Sequence, residues 1–351
     1  MARSTPEEYT IRSVRWRPLL RQLPWGSFFA AVVAFGLGSL GMTFIEPRQI
    51  IWVLDDPRLA YPMKENTIAN WLAVVGVFFF FILYVPVVEI VMLRRENRCM
   101  TIIIFQIFVF ASTFVECFLS TVFFQQFTSV LTGMLRPDWY ARCQPAEMNG
   151  TLLCTSADTD TIKDGRKSFF SGHASSSAVS MAILSMYLVY AWYFRKAQKR
   201  GAGPTEAYSS SRDYSQRKES RAHWLFHELT DALMFLLTAM PAFWLIGVGL
   251  SRVVDYRHAR EDVVGGWFIG LFFAVVEFPR YVALSKDGAT NLEHILGISR
   301  ANGVLSPKTD STDVEMGMPN GEGSPSALAQ VEVEEQTSFV TAPDYEAAAA
   351  V

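Results

Sequence analysis

Six stretches of about 20 mostly apolar residues constrain this chain more than any other feature: roughly 27–45, 71–93, 100–124, 174–194, 232–250 and 263–279. A helix of that length crosses a hydrocarbon layer about 30 Å thick. Inside lipid each span must satisfy its own backbone hydrogen bonds, which makes a span a helix. The fold class predicted is therefore all-α, a six-transmembrane helix bundle over residues 27–280. Half of the residues are hydrophobic, and their concentration in six segments argues against one large soluble core. The first segment is glycine-rich, as membrane helices often are. The second contains Pro86, read as a kink, and Glu89, read as lying near the cytosolic end.

Lysine and arginine in the short loops set the orientation. The N-terminal tail, 1–26, carries Arg3, Arg12, Arg15, Arg17 and Arg21, and its polar, Arg-rich start predicts no cleavable signal peptide. Arg94, Arg95 and Arg98 follow the second span, and the loop 195–231 begins RKAQKR. These segments are expected in the cytosol, together with a Gly-, Pro-, Ser- and Glu-rich tail, 281–351, that reads as disordered. By parity, loops 46–70, 125–173 and 251–262 face the lumen or the exterior. Asn149-Gly150-Thr151 is a glycosylation sequon that only that side can use. Cys143 and Cys154 flank it, either as two free thiols or, on an oxidising side, as a disulfide closing a short loop. A net charge of -3 offers no argument for nucleic acid as a partner.

The outward loops hold three polar clusters at span ends: GMLRPDW with Arg136, GRKSFFSGHASSS with Ser171, Gly172 and His173, and SRVVDYRHARED with Arg252, His258 and Asp262. His258 and Asp262 are four apart. On a helix they would share one face, the carboxylate accepting one imidazole N–H and leaving the other nitrogen free as a nucleophile. Ser-Gly-His opening a helix offers unpaired backbone N–H groups to an anion, and arginine matches phosphate oxygens. Two histidines, two arginines and a helix N-terminus together suit phosphoryl transfer. Arg257 and Arg260 read as interfacial anchors, and His223, His227 and His294 as surface residues.

These residues carry a resemblance. Ser251-Arg252, His258 and Asp262 fit S-R-x5-H-x3-D, Ser171-Gly172-His173 fits the core of P-S-G-H, and Arg136-Pro137 fits the end of K-x6-R-P. The pattern resembles the type 2 phosphatidic acid phosphatase superfamily, and within it the integral-membrane lipid phosphate and diacylglycerol pyrophosphate phosphatases. DDPRLAYP, Asp55 to Pro62, is similar to that branch as well. Two positions depart from it: Ser129 stands where the motif has lysine, and Phe170 where it has proline. Lys167 or Lys163 is the expected substitute for the lost charge.

The resemblance implies a magnesium-independent phosphatase without metal or cofactor. His258 would become phosphohistidine, Asp262 would orient it, and His173 would protonate the leaving group. Arg136, Arg252, Ser171 and Gly172 would hold the phosphate; Lys167, which no family motif supplies, is expected to join them in place of the lysine missing at Ser129. Substrates would be phosphatidate, lysophosphatidate, diacylglycerol pyrophosphate or sphingoid-base phosphates, met at an endomembrane (endoplasmic reticulum, Golgi or vacuole) or at the plasma membrane. A homo-oligomer stays open. The alternative is a weakened or non-catalytic lipid-phosphate binder, motivated by Ser129. A transporter would need ionisable groups within the spans, for which Glu116 is the best candidate.

Overall fold

A computed structural model of the chain describes residues 14–96, 99–194, 221–301 and 304–307. A short helix α1 (Trp16–Gln22) precedes six helices long and apolar enough to cross a membrane. These are α2 (Trp25–Thr43), α3 (Asn70–Glu96), α4 (Met100–Thr132), α7 (Gly172–Val189), α8 (Arg221–Val254) and α9 (Arg260–Ile295). Between α4 and α7 lie α5 (Trp139–Cys143), the hairpin β1 (Pro145–Met148) and β2 (Thr151–Cys154), and α6 (Thr159–Gly165). Spans alternate in direction, so the ends of α2, α4 and α8 and the starts of α3, α7 and α9 gather at one end of the bundle.

The core is α7 wrapped by α4, α8 and α9, with Phe105, Phe110, Tyr187 and Tyr281 among its fully buried side chains. Close approach of α9 to α7 depends on two glycines spaced one turn apart. A Cβ on Gly266 would lie 2.7 Å from the Ser171 carbonyl oxygen, and one on Gly270 would lie 2.4 Å from that of Ser175. Small residues at such spacing let membrane helices meet backbone to backbone, where dispersion replaces the missing hydrophobic drive. This contact brings the start of α9 to the start of α7, and the Ser171 N–H donates to the Asp262 carbonyl at 3.0 Å.

Residues 281–295, expected to open the tail, are helical instead. Helix α9 continues to Ile295, and a hairpin follows, β3 (Ile298–Ala301) and β4 (Val304–Pro307). Tyr281, Ser285, Gly288 and Leu292 recur at helical spacing and are buried, and the Gln106 amide donates to the Ser285 carbonyl at 2.9 Å. One packed face thus carries the helix past the point where charges end the apolar run. Residues 195–220 and 308–351, where most of the loop and tail readings fall, lie outside the described residues, as do the side chains of His223 and His227.

Glu116 is tied into a polar cluster that spans three helices. It pairs with Arg280 on α9 and accepts the Ser27 hydroxyl from α2 at 3.1 Å, while Glu277 holds Arg280 at 2.9 Å. A charge in lipid needs such partners, and this pairing gives Glu116 a structural reason to be there. Glu89 is fully buried and accepts the Tyr187 hydroxyl at 2.8 Å.

Candidate active site

The segment linking α4 to α7 folds over the bundle end through a chain of ion pairs. Asp138, fully buried, receives Arg142 at 2.7 Å. Arg142 also reaches Asp164 at 2.9 Å, and Asp164 binds Arg136 at 2.9 Å. Arg257, read as an interfacial anchor, instead turns inward to within 3.8 Å of Asp138. Cys143 and Cys154 are joined as a disulfide that closes the β1–β2 hairpin at its base. Asn149 and Gly150 form its exposed tip with φ of 54° and 75°, a left-handed pair that Asn-Gly adopts readily.

Ser171 caps α7: it is buried and extended, and its hydroxyl accepts from the Ala174 N–H at 3.5 Å. Serine is a favoured N-cap because its oxygen satisfies one of the orphan donors. The next residues, Gly172 and His173, face a cavity of about 370 Å³, which Arg136, Lys167 and His258 also line. Five residues from three sequence motifs thus meet around one hollow. Its other wall is apolar, built by Ala73, Val77, Phe78, Phe118 and Val122 from α3 and α4.

His258 and Asp262 do not share a helical face, contrary to the expectation from their spacing. The chain bends before α9: Tyr256 takes φ of 55°, and the Arg257 and His258 N–H groups both donate to the Arg252 carbonyl. Helix α9 starts only at Arg260, so His258 precedes it. Its Nδ1 lies 2.8 Å from the Ser168 carbonyl oxygen, and Asp262 stands 3.7 Å away. A carbonyl can only accept, so Nδ1 carries the proton and Nε2 keeps its lone pair. Asp262 Oδ2 accepts from the Ser168 hydroxyl at 2.5 Å and from the Ala259 N–H at 3.0 Å, the second bond capping α9. Burial pushes the His258 pKa down; Asp262 pulls the other way, and the Arg136 charge adds to the fall. Burial first, then Lys163, also holds Lys167 below the ordinary lysine value.

Of the other expected ligands, Arg252 does not line the cavity. Its buried guanidinium donates to Ser251 Oγ at 3.1 Å, Asn66 Oδ1 at 3.2 Å, the Ile68 carbonyl at 2.9 Å and Asp255 at 3.3 Å. The loop 46–70 thereby grips the third motif, and Tyr61 stacks on Tyr256 with centroids 4.6 Å apart. Ser129 is fully buried and donates to its own helix at the Gln126 carbonyl, 3.0 Å away. Lys163 is engaged with Glu46 at 3.0 Å, which leaves Lys167 as the lysine at the cavity. Sequence reasoning missed Ser168, Asp164 and Asn66. Ser168 sits within the quoted GRKSFFSGH stretch, but nothing local distinguishes it from any loop serine.

Comparison with known proteins adds an independent line. Residues 110–285 match the family model described as the PAP2 superfamily. The chain is 27% identical over 233 residues to "Lipid phosphate phosphatase 2" of Arabidopsis thaliana, covering 62% of each protein. It is 30% identical over 168 residues to "Diacylglycerol pyrophosphate phosphatase 1" of Saccharomyces cerevisiae, covering 44% of this chain and 45% of that one. A "Putative phosphatidate phosphatase" of Drosophila melanogaster is 25% identical over 268 residues, 66% of this chain and 61% of its own. The chain thus spans less than two thirds of the length of each of these relatives. No solved structure matches it.

Proposed function

Because the chain belongs to the PAP2 superfamily, we propose that it is a lipid phosphate phosphatase, hydrolysing the phosphomonoester or pyrophosphate head groups of membrane lipids through a phosphohistidine. One observation carries the reading: His258, His173, Arg136, Lys167 and Gly172 line one cavity whose far wall is apolar. A lipid can place its phosphate among the polar groups while its chains stay against α3 and α4. A site for a free, soluble phosphate would not need that wall.

His258 Nε2 attacks phosphorus, the ester P–O bond breaks, and the leaving alkoxide takes a proton from His173. Water then gives a proton back to His173 and attacks phosphorus; the P–N bond breaks and inorganic phosphate leaves. The Ser168 carbonyl and Asp262 stabilise the positive imidazole between the two steps. Arg136, whose buried Nε has no hydrogen-bond partner among the described residues, and Lys167 bind the phosphoryl oxygens together with the N-terminal N–H groups of α7. Arg252 holds the third motif against the loop 46–70 and thus acts as a positioning residue.

The site faces the lumen or exterior of an endomembrane or the plasma membrane. The sequon, the disulfide and the arginine-rich segments at the other span ends support that side. Phosphate release from phosphatidate by membranes containing the protein tests the reading. Turnover should persist with a chelator, stop with vanadate and vanish in His258→Ala. Equal release by wild type and His258→Ala would refute the mechanism.

A further inference from the structure

The helix face that would present the motif lysine presents two carboxamides in its place. Gln125 and Gln126 precede Ser129 by four and three residues, so all three share one side of α4, and both glutamines line the cavity. The Gln125 amide lies directly over the start of α7: its side-chain atoms stand 3.3–3.6 Å from where a Gly172 Cβ would be. Its Nε2 donates to the Phe170 carbonyl at 3.4 Å, beyond the usual range for a strong bond, so a ligand can redirect it at little cost.

A lysine ammonium only donates, which suits phosphate oxygens. A carboxamide is neutral and also accepts, which suits a hydroxyl that has a proton to give. We infer that Gln125, with Gln126 beside it, reads a free hydroxyl next to the phosphoester. The site is thus tuned to monoacyl glycerol phosphates over their diacyl counterparts. An acylated oxygen has no proton, so in a diacyl substrate the amide oxygen loses its partner inside a half-buried pocket. A polar group left unpaired in this way is how hydrogen-bonding sites reject close analogues. This inference rests on the phosphatase reading for its substrates but concerns the amide, not the chemistry.

The test compares lysophosphatidate with phosphatidate of the same acyl chain in mixed micelles, using the full chain. Wild type should show the higher kcat/KM on lysophosphatidate. In Gln125→Met, which keeps volume and removes hydrogen bonding, the ratio between the substrates should fall about tenfold, the scale of one lost hydrogen bond. Because both substrates are measured on one preparation, the ratio does not depend on how much protein folds. A parallel loss on both, or an unchanged ratio, overturns the inference. Binding of the same two lipids to His258→Ala, with and without Gln125→Met, separates the two readings. A Gln125-dependent preference without turnover in the wild type would remove the phosphatase and keep the selectivity. Turnover with equal binding would do the reverse.

Discussion

His258 and Asp262 communicate through Ser168. The imidazole Nδ1 lies 2.8 Å from the Ser168 carbonyl oxygen, while Asp262 accepts the hydroxyl of the same serine at 2.5 Å and stays 3.7 Å from the ring. One residue thus fixes the tautomer with its backbone and tethers the carboxylate with its side chain. A displaced Ser168 would disturb both partners at once.

Ser168→Ala should therefore lower kcat about tenfold while KM changes little. The hydroxyl bond to a charged acceptor is worth about 1.5–3 kcal/mol, but the carbonyl that holds the ring remains. Ser168→Thr, which keeps the hydroxyl, should retain more turnover than Ser168→Ala. Steady-state kinetics on the three proteins decide this, and a pure KM effect would place Ser168 outside the relay.

The depressed pKa of His258 sets the pH dependence. With the neutral ring as the proposed nucleophile, the acid limb of kcat/KM should fall below 6.5, the ordinary histidine value. Asp262 opposes the shift, so Asp262→Asn should move the limb to still lower pH as well as slow the reaction. Stability follows the same sign. The unfolded chain takes up a proton at this histidine first, so its contribution is complete above 6.5 and is lost as pH falls through the lower folded value. Profiles of kcat/KM and of thermal inactivation against pH check both.

Two glycines of α9 predict a packing effect at a distance from the chemistry. Gly270→Ala places a methyl 2.4 Å from the Ser175 carbonyl, so α9 must move off α7. Overpacking of this kind costs about 1–3 kcal/mol. Because α9 carries Asp262 and its Ser171 bond, turnover should fall with it. Gly247→Ala, on α8 with open space around it, should leave stability within about 0.5 kcal/mol of wild type. Thermal shift and phosphate release in membranes distinguish the pair.

Lys167 and Lys163 should separate cleanly. Lys167 lines the cavity, and its removal by Lys167→Ala should reduce kcat/KM about 10²-fold, the scale of losing one donor to the transition state. Lys163 faces Glu46 outside the cavity, and an exposed pair of this kind contributes little, so Lys163→Ala should stay near wild type. The reverse order would assign the missing charge to Lys163.

Reduction or Cys143→Ser should lower thermal stability. Opening the short loop between Cys143 and Cys154 returns about 3 kcal/mol of chain entropy to the unfolded state. Inactivation rates with and without reductant measure it.

The amino-acid sequence by itself determined the six spans and the end of the bundle where the polar clusters meet. It also carried the three motifs that mark the superfamily. Hydropathy is local and additive over about 20 residues, and motif spacing is linear, so neither needs a fold to be read. Only the tertiary structure decided who bonds to whom. The partner of His258 lies 90 residues away, at a backbone carbonyl that any residue would supply. Arg252 is taken by a loop 184–186 residues distant, and Arg280 reaches Glu116 across 164. Such pairings depend on how closely α9 can approach α7, which Gly266 and Gly270 set and no local pattern reveals. For the same reason Ser129 pointed to a missing charge, while the packed chain shows Lys167 and Gln125 standing at the cavity it would have served.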